Sequence, residues 1–298
     1  MTLRFVAHDD VVFRRAPLVT VLCQVQFEPV LSLLSDVGIA GFQDRLRDDY
    51  PFLRPEIGTQ VAIEQSPRPR MGVRTSPPIW RMQDESETWH WRVSVAVNFL
   101  AIETPRYTEF GEFIRRLTDI LDVLDRTIHP GDATRIGLRK INVLRHPEVH
   151  ESSDWTRFLR REFVSLVGSE LPGTVTQSLA DVRISDPPNE LMIRHGIVPG
   201  AVLSQAIAGV LAPPNGQEDP MDWSREVAPS EDGPVPYLLD LDYRTPVPYP
   251  LSQPDAIAEL LQDFSNGITS FFHWATNDDY RRWLEPVPRA EVTERERS

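Results

Sequence analysis

A chain of 298 residues, 41% hydrophobic and 25% charged, is long enough for one large domain or two small ones and excludes collagenous, coiled-coil and disordered classes. Its 44 acidic against 31 basic residues leave a net charge of -13, which repels a phosphate backbone unless the basic residues gather on one face, so nucleic acid is a disfavoured partner. A single cysteine, Cys23, can form neither an intramolecular disulfide nor a multi-thiolate metal site, and in an apolar strand it reads as a small buried hydrophobe in a reducing cytosol.

The first ten residues hold no apolar h-region, and no uncharged apolar run reaches the ~18 residues of a membrane span. A cytoplasmic protein with no membrane contact is expected. From Leu18 to Glu28, Val19, Val21, Cys23, Val25 and Phe27 alternate with polar residues, the pattern of a half-buried strand. Phe42, Leu46 and Tyr50 recur at every fourth position and Pro51 stops the pattern, which predicts a short amphipathic helix. A weak strand at Gln60 to Gln65 precedes a loop rich in proline and arginine from Ser66 to Gly72. Ile79 to Asp84 and Trp89 to Glu103 read as a hairpin, with Trp89, Trp91, Val93, Val95, Val97 and Phe99 on one core-facing side. Thr104 as N-cap and Pro105 at N1 then open a long helix, 105 to 128, striped by Phe110, Phe113, Leu117, Leu121 and Leu124.

After the turn at His129 to Asp132 the order repeats. A strand runs from Thr134 to Arg145, and a helix from Asp154 to Val167 is capped by Ser152 or Ser153. Strands follow at Val175 to Ile184, Leu191 to Val198 and Val202 to Val210. Residues 212 to 234 have no periodicity and are acidic and proline-bearing, which predicts a disordered insertion. A last strand, Tyr237 to Tyr243, leads to a second long helix that begins at Ser252-Gln-Pro-Asp255 and carries Ile257, Leu261, Phe264, Ile268 and Phe271 on one face. Two α+β halves, 1-132 and 133-298, are therefore expected, each ordered strand, short helix, strands, long helix. Their first strands would pair into one curved antiparallel sheet with helices on one face and the other face wet, a single body in the saddle layout of the TATA-binding-protein fold.

The chain resembles a sporadically distributed bacterial family whose members are described as of unknown function. The resemblance rests on Ala16-Pro17-Leu18-Val19 leading to Val25-Gln26-Phe27, on Tyr50-Pro51, on Asn98-Phe99-Leu100 followed by Tyr107 and Phe110, on Arg135-Ile136-Gly137-Leu138-Arg139-Lys140-Ile141-Asn142, and on Leu239-Asp240-Leu241-Asp242. Lys140 stands where the family pattern has an aromatic residue. The resemblance implies a bacterial accessory protein of mobile or defence-related DNA and brings no catalytic residues with it.

Alternation along the central strand places Arg135, Gly137 and Arg139 on one face, and Ile136, Leu138, Lys140, Asn142 and Leu144 on the other. A glycine between two arginines costs strand stability, which suggests a close approach to the backbone by the chain's own atoms or by a partner. Asp240 and Asp242 share a face, about 7 Å apart at Cα. Two readings stand for them: a carboxylate pair that holds a divalent cation or does acid-base work, or counter-charges to Arg135 and Arg139. The candidate ligand- or partner-binding set is Arg135, Gly137, Arg139, Asn142, Asp240 and Asp242. The seven histidines show no metal-ligand spacing, since Pro147 separates His146 from His150 and forbids their helix. No phosphate loop, nucleophile elbow or dinucleotide fingerprint is present, and no cofactor is expected. The leading expectation is a non-catalytic binding protein that meets a protein or small molecule, with a homodimer also compatible. The alternative is a metal-dependent hydrolase or nuclease using Asp240 and Asp242. A third option, nucleic-acid binding through Arg68, Arg70 and Arg74, must overcome the overall charge.

Overall fold

The computed structural model describes residues 3-57, 59-64, 70-75, 77-169, 171-199 and 235-290, with only the backbone at 59-64 and 70-75. Its strands are β1 (Val11–Phe13), β2 (Leu18–Phe27), β3 (Phe52–Glu56), β4 (Thr59–Glu64), β5 (Arg70–Thr75), β6 (Ile79–Gln83), β7 (Arg92–Ala96), β8 (Phe99–Thr104), β9 (Asp132–Leu144), β10 (Ser178–Asp186), β11 (Asn189–Ile197), β12 (Tyr237–Thr245), β13 (Tyr249–Pro250) and β14 (Pro286–Pro288). The helices are α1 (Asp36–Leu46), α2 (Phe110–Thr127), α3 (Arg161–Val164), α4 (Pro254–Ala275) and α5 (Asp278–Trp283).

One large antiparallel sheet runs in the order β10-β11-β12-β9-β2-β8-β7-β6-β3, with β13 added to β9. Its middle is the β2–β9 pair, in which Leu22 lies opposite Arg139 and Gln24 opposite Gly137. The alternation that identifies β2 sends Val21, Cys23, Val25 and Phe27 into the core, where they meet Leu100 and Ile102 of β8, Ile136 and Leu138 of β9, and Leu239 and Leu241 of β12. The stripes of α2 (Phe113, Leu117, Leu121) and α4 (Phe264, Ile268, Phe271) cover that same side and belong to one continuous apolar cluster. Each fully buried side chain of this size contributes roughly 1.5 to 3 kcal/mol of transfer free energy, so this layer fixes which face of each strand looks inward. Among the described residues no helix is long and apolar enough to cross a membrane.

Several boundaries differ from expectation for local reasons. The segment Trp89 to Glu103 is not one strand: a turn at Val97 and Asn98 folds it into the β7–β8 hairpin, with Ala96 opposite Phe99. Trp89 precedes β7 and packs with Ile141, Val143, Val198 and Leu238 in a second, smaller cluster, apart from Trp91 and the main core. Thr104 does not cap a helix. It remains in the ladder opposite Val21, its hydroxyl accepts from the Arg106 amide at 3.1 Å, and α2 begins only at Phe110. The helix expected at 154 to 167 is broken into a 3-10 turn, Ser152–Arg157, and one turn of α3. Between them Leu159 bridges Thr276, the Arg160 amide donates to the Ala275 carbonyl, and the Asn277 amide donates to the Phe158 carbonyl. These backbone bonds to the end of α4 override helix propensity. The turn is opened by a capping box between Glu151 and Asp154, not by a serine cap. The strand expected at 202 to 210 and the insertion at 212 to 234 lie outside the described residues. The expected loop at 66 to 72 gives way from Arg70 onward to β5, which pairs with β4.

Candidate functional site

On the sheet face away from α2 and α4, charged side chains of neighbouring strands answer one another. Arg139 Nε donates to Asp240 Oδ1 at 2.6 Å and Nη2 donates to Oδ2, a two-pronged pair whose side chains are 18% and 7% exposed. Asp242, the register partner of Arg139, lies 3.8 Å from Arg135 Nη2 and 3.8 Å from Arg244 Nη1. Burial pushes its carboxyl group up, against the pull of Arg139, Arg135 and Arg244. Farther out, Arg244 Nε donates to Glu190 Oε1 at 3.0 Å and Arg194 Nε donates to Asp181 Oδ1 at 2.8 Å. The row therefore alternates in sign across β9, β12, β11 and β10. The two carboxylates that sequence spacing places together are each held by guanidinium groups.

Gly137 lies opposite Arg244 on one side and Gln24 on the other. A Cβ built on it would meet Asp242 Oδ1 at 3.3 Å and Arg244 Cβ at 3.5 Å, so the group that approaches the backbone is the chain's own carboxylate. Gly137→Val is expected to lower stability by about 1 to 2 kcal/mol in urea unfolding, because displacing Asp242 from its arginines outweighs a strand-propensity gain of at most ~1 kcal/mol. Gly137→Ala should be nearly neutral. An unchanged midpoint for the valine variant would show that Asp242 moves aside at no cost.

Asn142 does not join this set. It lies on the inner face, buried, with Nδ2 donating to the Leu239 carbonyl at 3.2 Å. Two residues earlier on that face, Lys140 Nζ donates to Ser265 Oγ at 2.8 Å, with the rings of Tyr107 and Phe110 at 5.7 and 5.5 Å. Among the described residues no carboxylate pairs with it; burial, helped by the charge of Arg289, pulls its ammonium group down to about 7.

The face was expected to be wet throughout, and on the β6–β7–β8 wing it is not. Arg92 bonds Glu103, Arg81 reaches Glu56 at 2.7 Å and Glu103 at 3.7 Å, and Arg81, Arg92 and Glu103 are all buried. The Arg92 guanidinium sits 4.2 Å from the Trp89 ring. Charges in strand positions read as solvent-facing by default, and the available signal was the register that sets Arg92 opposite Glu103 across the hairpin. Among the described residues the charged face is thus closed over Arg81, Arg92 and Glu103 and partly open from β9 to β10.

A second concave region had no signal in periodicity. Ser270 Oγ accepts from the amides of Phe5 and Val6 at 2.8 and 3.1 Å, tying the leader to α4. The leader, α3, α5 and β14 together bound a cleft of about 1430 Å³. Inside it His8 stacks on His273 at 4.5 Å, and burial, followed by the charges of His8 and Arg281, pulls His273 down to about 4. Its charged walls are largely paired within themselves, as in Arg281 with Asp278 and Arg282 with Asp279. Among the described residues no group of three or more His, Cys, Asp or Glu side chains is arranged to hold a metal ion. No family model, no curated protein and no solved structure matches the chain.

Proposed function

We propose that this is a non-catalytic binding protein of a bacterial accessory system, of the defence or mobile-element kind, which meets a protein or small-molecule partner through the exposed charged wing of its sheet. The observation that carries this reading is the self-pairing of the charges. Asp240 and Asp242 are occupied by Arg139, Arg135 and Arg244, while the side chains of Arg135 and Arg194 remain 32% and 37% exposed. A partly exposed guanidinium fork suits a carboxylate or phosphate on a partner. The same arrangement leaves the hydrolase or nuclease alternative without a free carboxylate pair.

The layout we propose is a tandem duplication, 1-132 and 133-298, closed into one saddle-shaped body like that of the TATA-binding-protein fold. The antiparallel pairing of β2 with β9 and the placement of α2 and α4 against one core support it. The likeness to the sporadically distributed bacterial family, through its Arg-x-Gly-Leu-Arg-x-x-Asn motif, supports an accessory role. Nucleic acid remains the disfavoured partner on charge, and the side chains of Arg68, Arg70 and Arg74 lie outside the described residues.

Thermal unfolding with magnesium, manganese or zinc separates the two activities, because a ligand bound only by the folded state raises Tm. No rise is expected. A metal-dependent rise that disappears in Asp240→Asn would overturn the binding-protein reading in favour of the hydrolase. Affinity capture from the native host should retain a partner that the Arg135→Gln/Arg194→Gln variant loses, at a temperature where circular dichroism shows both proteins folded.

A further inference from the structure

The sheet ends differently on its two sides. At one end β3 is five residues long, carries Pro55 and is followed by the β4–β5 hairpin, and short edges bearing proline resist pairing with another chain. At the other end β10 is nine residues long, Ser-Leu-Ala-Asp-Val-Arg-Ile-Ser-Asp, with no proline and with every residue from Leu179 to Arg183 exposed. Leu179 and Val182 are 44% and 42% exposed. Among the described residues nothing pairs with its outer edge. Asp181 is bonded to Arg194 on β11, whereas Arg183 makes no ion pair among the described residues. A strand edge of this length that no described strand covers is a template for strand addition.

The order of side chains selects the added strand. Reading outward from Val182, Asp181 and Arg183 stand symmetrically, then Ala180 and Ile184, then Leu179 and Ser185. We propose that β10 pairs antiparallel with β10 of a second copy of this chain, about a two-fold axis through Val182. In that register each Asp181 faces Arg183 of the second copy on the charged side of the sheet. Ala180 faces Ile184 and Val182 faces itself on the other side, so Arg183 gains a counter-charge across the strand pair and exposed apolar area is covered. Moving the axis one residue either way places Asp181 opposite its own copy or Arg183 opposite its own copy, and like charges directly opposed across a strand pair are unfavourable. One register is therefore favoured, and the contact is isologous and closed, as two-fold symmetry requires. A single strand pair is at the small end of stable interfaces, so a dissociation constant of roughly micromolar order is expected.

Sedimentation equilibrium on the full chain tests this through charge reversal at two exposed positions whose folding is followed by circular dichroism. The unaltered protein should be a dimer at concentrations above the micromolar range. Asp181→Arg and Arg183→Asp should each weaken self-association by roughly tenfold or more, because each places like charges opposite one another twice. Mixing the two variants should restore dimers, now of unlike chains, and the double variant should dimerise with itself. A monomer under all conditions overturns the proposal. So does a dimer indifferent to both single variants, or single variants whose mixing restores nothing.

Discussion

Replacing Lys140 by methionine is expected to make the protein more stable at neutral pH, by about 1 to 4 kcal/mol, the range seen when buried ionic groups give way to apolar ones of similar volume. Methionine follows the same unbranched path between Tyr107 and Phe110, and the Ser265 hydroxyl loses one donor, a smaller cost. The effect has a defined pH dependence. Burial lowers the folded-state value of Lys140 to about 7, against 10.5 for the free side chain. Between those values the unfolded chain binds more protons than the folded one, so this residue makes stability rise with pH across the window. Its penalty is fully present below about pH 7 and relieved above 10.5. The groups that face it are Ser265 from α4, the rings of Tyr107 and Phe110, and the charge of Arg289. Denaturant unfolding from pH 7 upward should therefore show a rise in the unaltered protein that is absent from the variant. If Lys140→Met is instead destabilised at pH 7 and keeps the slope, the ammonium is compensated and the burial argument fails.

Arg139→Ala is expected to act in the opposite direction, with a loss of about 2 to 4 kcal/mol. Removing one partner of a buried pair leaves the other uncompensated, at roughly 3 to 5 kcal/mol when both are fully buried. Here Asp240 is 7% exposed and Arg139 18% exposed, so the lower part of that range applies. Asp240→Asn should cost less, because the amide oxygen still accepts from Arg139. The double variant Arg139→Met/Asp240→Leu should lose less than the sum of Arg139→Met and Asp240→Leu measured singly, and the double-mutant cycle in urea reads the coupling directly. Additive losses would mean that the pair is held apart in solution.

Periodicity carried most of the sheet and both long helices. β2, β9, β12, α2 and α4 each bury one face against a single core, and burial on one face is what an alternating or 3.6-residue pattern records. It failed where another interaction set the structure. The 3-10 turn and α3 replaced a helix because backbone groups at Leu159 and Arg160 bond to the end of α4, a contact between distant segments that no local window contains. Trp89 was in phase with Trp91 only on the assumption of an unbroken strand, and it lies before β7 on the other face. At the candidate site, the sharing of a face by Arg135, Arg139, Asp240 and Asp242 followed from strand alternation alone, and so did the position of Asn142 on the inner face. The engagement of the arginines with those carboxylates depended on β9 and β12 being neighbours, which chain order does not state. The cleft beside His8 and His273 was illegible because its walls are the aperiodic leader and the ends of helices.

The order of assembly follows from the strands at the middle of the sheet. β2 finds its neighbours, β8 and β9, only much later in the chain, and β9 must then meet β12, whose Asp240 lies 101 residues beyond Arg139. Loop entropy grows only with the logarithm of length, so these closures cost little more free energy than short ones, yet contacts between remote segments are slow to find. The hairpins β6–β7, β7–β8 and β10–β11 join sequence neighbours and so are expected to form earlier. A refolding chain would then pass through a stage in which the long strands destined for the centre have bare edges, open to other molecules. The strands best protected in the finished protein are the ones most vulnerable while it is being made.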